Sequence, residues 1–197
     1  MSFFEQIRRP EPPPRPPEPR HEPWMGPPHG VLPGSVAIDL LLAVTDHVAV
    51  QLGPVLAWPN GLQLSLSMIA RDMGASLDPR GHGHGRPPAE LEEEWPPRAV
   101  FRLGVQYPDG GRAETYSFNG RPGPNADGIW LSPGGGGGGG GKYRCEYWLS
   151  PLPPEGTMTF ACRWPLWGID EAHADLDTAP LREAAARARA IWPDQLT

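Results

Sequence analysis

Two histidines stand two residues apart in Gly81-His82-Gly83-His84-Gly85, the pattern in this chain that comes nearest to a metal site. Imidazoles at that spacing can chelate a transition metal, and Glu92, Glu93 and Glu94 follow shortly after. Catalytic zinc also needs a preorganised third ligand and an outer shell that orients the first. A glycine-rich loop supplies neither, so His82 and His84 read first as part of a solvated loop. A metal-assisted hydrolase using the 80–94 loop is the alternative class of function. The two cysteines, Cys145 and Cys162, have no histidine near them in sequence to act as a base. They are expected to be buried thiols that behave as small hydrophobes. Asp170, Glu171, His173, Asp175 and Asp177 gather ahead of a helical pattern. Acid–base chemistry is conceivable there, but acidic residues before a helix N-terminus are ordinary dipole electrostatics. The chain contains no G-x-S-x-G or H-E-x-x-H. The glycine tract Gly134–Gly141 lacks the Lys-Ser/Thr of a phosphate loop, because Lys142 is followed by Tyr143. No catalytic residue and no cofactor is assigned.

Apolar side chains offer a second kind of chemistry, that of docking. Phe3, Phe4 and Ile7 are the large apolar residues at the start of the chain, and Arg8 and Arg9 follow directly. An apolar anchor beside positive charge suits a groove on an acidic protein partner, or weak peripheral contact with an anionic membrane. Pro10, Pro13 and Arg15 also match a P-x-x-P-x-R pattern, a weak signal among 28 prolines. Trp148 falls on the opposite phase from Cys145 and is expected on an outer face. There it either contacts a partner or lies beneath Trp192 and its helix.

The elements that position these residues follow from periodicity. Val36, Ile38, Leu40, Leu42 and Val44 alternate, as do Leu62, Leu64, Leu66 and Met68, with Asn60-Gly61 as the turn before them. Phe101, Leu103 and Val105 alternate in the same way. Tyr143 to Leu149 and Met158 to Trp164 read as a hairpin across a proline loop, which would set Cys145 nearly opposite Cys162. Asp177 or Thr178 is expected to cap an amphipathic helix with Leu181, Ala185, Ala188 and Trp192 on one face. The predicted fold class is mainly β, an antiparallel β-sandwich of seven or eight strands with one C-terminal helix over 176–192. Residues 1–34 read as a disordered proline-rich arm and 35–193 as the single domain. Flexible loops are expected at 71–97 and at the glycine tract, 132–141.

Composition agrees with that division. The chain has 197 residues with 28 prolines and 25 glycines, too many breakers for a large helical protein. Net charge is −6, which argues against nucleic acid as a partner. The apolar stretch from Val36 to Trp58 carries Asp39, Asp46 and His47, so no transmembrane segment is expected. Met1–Arg9 has no apolar core for a signal peptide, and the expected location is cytoplasmic. The runs TDHVAVQLGPVLAWPNGLQLSLSMIARD, EYWLSPLPPEGTMTFACRWPLWGIDE and DTAPLREAAARARAIWP, with the glycine tract between the first two, resemble a group of uncharacterised proteins from high-GC actinobacteria. The resemblance covers roughly 36–193 and implies a bacterial, soluble, β-rich protein. It brings no catalytic residues with it. The function expected is a non-catalytic interaction or binding module.

Overall fold

The computed structural model describes residues 22–80, 100–115 and 123–192. Strict alternation builds the first large hairpin. In β4 (Val48–Trp58) and β5 (Gly61–Ala70), Val50, Leu52, Leu64, Leu66 and Met68 are fully buried on one face. The hairpin turns on Pro59 and Asn60, one residue earlier than expected, with Trp58 opposite Gly61. Two short strands share the other edge of β4 end to end, β2 (Gly34–Val36) and β3 (Leu40–Val44). On the far side β5 pairs with β9 (Lys142–Ser150), and β9 with β8 (Trp130–Gly139), all antiparallel. These six strands form the larger sheet, in the order β2-β4-β5-β9-β8 with β3 beside β4.

A second sheet has the order β11-β10-β6-β7. Its strands are β6 (Arg102–Gln106), β7 (Arg112–Glu114), β10 (Thr157–Trp164) and β11 (Ile169–Asp177). Leu103, Val105, Met158, Phe160 and Trp164 point inward and join the side chains of the larger sheet in one core. The predicted antiparallel sandwich with a helix near the C-terminus is what forms. The sandwich itself has ten strands, more than the seven or eight expected. The extra ones arise because 36–44 breaks into two strands and the acidic stretch 169–177 is β11 rather than a helix lead-in.

Several local expectations are corrected. β9 and β10 are not a hairpin; each pairs within a different sheet. The proline loop between them, with a cis peptide at Ser150-Pro151, carries the chain across the core. Cys145 and Cys162 are therefore free, buried thiols on facing sheets. The glycine tract is no loop. Gly136–Gly139 pair residue by residue with Cys145–Lys142. Gly140 and Gly141 make the two-residue turn with φ of 59° and 71°, which suits a tight hairpin. The ladder bonds to β9 offset the entropy that glycine loses on ordering.

The helix is also shorter. α1 spans Ala179–Ala186, not 176–192. Arg189–Ala190 (β12) instead pair with Val31–Leu32 (β1), where tertiary pairing overrides helix propensity. Asp177 accepts the Ala179 N–H at 3.0 Å, and the Thr178 side chain turns to the proline loop, bonding Pro154 and Gly156. Leu181, Ala184 and Ala185 are buried in the core, and α1 lies against β2 and β4. That contact requires Gly34: a Cβ there would sit 1.9 Å from the Ala184 carbonyl oxygen.

The segment 22–34, expected to belong to a disordered arm, is a strap across the end of the larger sheet. The indole of Trp148 donates to the Trp24 carbonyl at 2.8 Å and that of Trp58 to Val31 at 2.9 Å. The rings of Trp24 and Trp130 meet edge to face at 5.0 Å. Among the described residues no helix is long and apolar enough to cross a membrane.

Two substitutions test this packing. Leu64→Ala removes a fully buried side chain and should cost about 2–5 kcal/mol in chemical denaturation. Gly34→Ala should cost about 1–3 kcal/mol, because α1 must shift away from β2. Wild-type stability of both variants would refute the core phase and the helix seat.

Candidate functional site

Antiparallel pairing places directly opposed residues on one face of a sheet. In the smaller sheet the registers are Gly104 with Glu114 and with Ala161, Ala161 with His173, Thr159 with Gln106, and Arg163 with Arg102. Because Leu103, Val105, Phe160 and Cys162 face the core, these intervening residues all face outward. They line an open cleft of about 610 Å³. That volume lies within the range of small-molecule sites. Gly104 and Ala161 form a floor without bulk. Glu114 of β7 rises on one side, and Glu171 and His173 of β11 on the other. Among the described residues no Phe, Tyr or Trp lines it.

The polar groups of the cleft are partly tied to each other. The Arg102 guanidinium pairs with Glu114 across β6 and β7. His173 Nε2 is 2.6 Å from Glu171 Oε1. The Arg112 Nε–H donates to Gln106 at 2.9 Å, and the Thr159 hydroxyl to Asp175 at 2.6 Å. The ladder between β10 and β11 is irregular between Cys162 and Trp164, where Asp170 and Glu171 face Arg163 alone. Such a bulge re-aims side chains, and Glu171 lines the cleft. The acidic cluster before the helix is thus a strand edge and one wall of the cleft. Only its last member, Asp177, has the capping role expected of the group.

The two thiols are poor nucleophiles. Burial pushes the Cys145 thiol up to about 11; its contact with Tyr147 and the charge of Arg80 oppose that only in part. Burial alone pushes Cys162 up to about 11. Cys145 borders a second, mostly apolar cavity of about 200 Å³ between the sheets, beside Phe101 and Tyr147.

Trp148 is on the outer face of the larger sheet, as its phase predicts, but the end of that face where it lies is already covered. Trp148 is 7% exposed, packed edge to face on Trp58 at 5.8 Å and bonded to Trp24. Trp192 is elsewhere, stacked on His29 at 6.2 Å. The strap therefore occupies the surface expected to meet a partner. Phe3, Phe4 and Ile7, and His82 and His84 with their neighbouring glutamates, lie outside the described residues. Among the described residues no group of three or more His, Cys, Asp or Glu could hold a metal ion. Sequence reasoning singled out Glu171 and His173 but missed Arg102, Gly104, Ala161 and Arg163. Their signal was an outward phase in two strands, and only the pairing of β6 with β10 joins them.

No family model, curated relative or solved structure matches the chain. The geometry of the cleft is accordingly the ground for a functional reading.

The thiols give a test with a definite sign. Their folded values lie above the ordinary 9.0, so their contribution is intact below pH 9 and is lost as pH rises to about 11. The loss should be on the order of 2–3 kcal/mol per thiol. Denaturation at pH 8, 9.5 and 11 should show it, and Cys162→Ala should flatten the slope. A slope unchanged by Cys162→Ala would contradict the burial argument.

Proposed function

We propose that this protein is a non-catalytic binding module whose ligand lies on the outer face of the four-stranded sheet. The observation that supports this most is the cleft itself. Every position on its floor and walls that alternates outward is small or polar, while the neighbouring inward positions are fully apolar. An antiparallel sheet commonly leaves one face to water. A volume of this size with convergent charged groups is the usual form of a small-ligand site. That no Phe, Tyr or Trp lines the cleft among the described residues favours a ligand that is polar around its whole surface over one that stacks. The buried, raised thiols favour binding over covalent catalysis. A docking role for the Trp148 surface is not favoured, because the chain's own strap fills it.

The test is a screen of small polar metabolites by amide correlation spectra of the full chain. Ligands should shift the amides of Arg102, Gly104, Ala161, Arg163 and His173 and be recovered unchanged. Ala161→Phe, which fills the floor, should remove the shifts while the thermal midpoint stays within a few degrees. Ligands that shift only other amides, or that are turned over, would refute the reading.

A further inference from the structure

The chemistry of the ligand can be read from one pair of side chains. Arg102 and Arg163 stand directly opposite each other on β6 and β10. Like charges in that position repel and destabilise a strand pair. Arg102 is held by Glu114, yet its Nε–H is buried and has no hydrogen-bond partner among the described residues. Arg163 is exposed, and no ion pair or hydrogen bond joins its side chain to another described residue. The Arg163 guanidinium thus presents unused donors in the cleft, beside that of Arg102, which Glu114 holds. A guanidinium fork matches the two oxygens of a carboxylate, or those of a phosphate, bidentately.

Charge chooses between these. Arg102, Arg112 and Arg163 line the cleft with Glu114 and Glu171. Three guanidiniums against two carboxylates leave one positive charge uncompensated, which a monoanion balances and a phosphate dianion overshoots. Beyond the arginines the lining is neutral or accepting: Gln106, Thr159 and the hydrogen-bonded Glu171–His173 pair. Those groups accept hydrogen bonds from hydroxyls. Resting on the reading of the cleft as the binding site, we propose that it takes a polyhydroxylated monocarboxylate. The carboxylate is clamped by Arg163 and Arg102, and the hydroxyls reach toward Glu171 and His173.

Calorimetry on the full chain with four probes tests this, with amide shifts locating each binding event. D-gluconate carries both features, D-sorbitol the hydroxyls alone, acetate the carboxylate alone, and inorganic phosphate the rival anion. Gluconate should bind at least about tenfold more tightly than the other three. Arg163→Gln should weaken it about tenfold or more, and Arg163→Lys should recover only part of the loss. Arg163 is exposed and its side chain makes no ion pair, so neither variant should lower the melting temperature. Equal binding of gluconate and sorbitol at the cleft, unchanged in Arg163→Gln, overturns the carboxylate clamp and leaves the cleft as the site. Tighter binding of phosphate overturns the choice of carboxylate. No binding of any probe at the cleft overturns the proposal, and binding located elsewhere removes the cleft reading as well.

Discussion

Burial of Leu103, Val105, Met158, Phe160 and Trp164 against the inner face of the larger sheet fixes the register of the smaller one. Side chains on a strand alternate with a period of two. A slip of one residue would therefore bring Arg102, Gly104 and Ala161 into the core and expel the leucines and aromatics. Each fully buried large apolar side chain contributes about 1.5–3 kcal/mol, so no slipped register competes. The outward face is the complement of that choice. The two opposed arginines are tolerated because the core on the other side holds β6 and β10 together.

The two outer faces have been treated differently. On the larger sheet the chain doubles back, and residues 22–32 lie over Trp58, Trp130 and Trp148 with hydrogen bonds from two indoles. Much of the tryptophan content serves that closure and the core, where Trp164 sits edge to face with Phe101 at 5.6 Å. On the smaller sheet the face carrying Gly104 and Ala161 is left open as a polar cleft. The strap covers the end of the larger sheet that carries Trp58 and Trp148, while Arg144 and Glu146 farther along its outer face stay exposed.

The strands that alternate cleanly over four or more residues were legible in the sequence. Leu62–Met68 formed as expected, and β6 begins at Arg102 with Phe101 just ahead of it, the buried phase of Phe101, Leu103 and Val105 being as expected. What stayed hidden was long-range. Tyr143–Leu149 and Met158–Trp164 are adjacent in sequence and look like a hairpin, but each had a better partner elsewhere, in β5 and in β6 with β11. Six consecutive glycines carry no side-chain pattern, so their place as a strand depends wholly on the backbone of β9. The helix pattern ran on to Trp192, whereas the chain after Arg187 found backbone partners in β1. The cleft was the least legible feature. Arg102 and Arg163 are 61 residues apart in numbering, and neither is unusual in its own strand.

The claim that the opposed arginines are the ligand clamp can be tested on those side chains themselves. Arginine Nε–H signals in a nitrogen-15 correlation spectrum report each guanidinium separately, and the buried Nε–H of Arg102 should exchange slowly enough to be seen without ligand. Addition of sodium gluconate should shift the Arg102 signal and bring up that of Arg163, leaving those of Arg182 and Arg187 in place. A spectrum in which neither Arg102 nor Arg163 responds, at a gluconate concentration that saturates the amide shifts, would contradict the account.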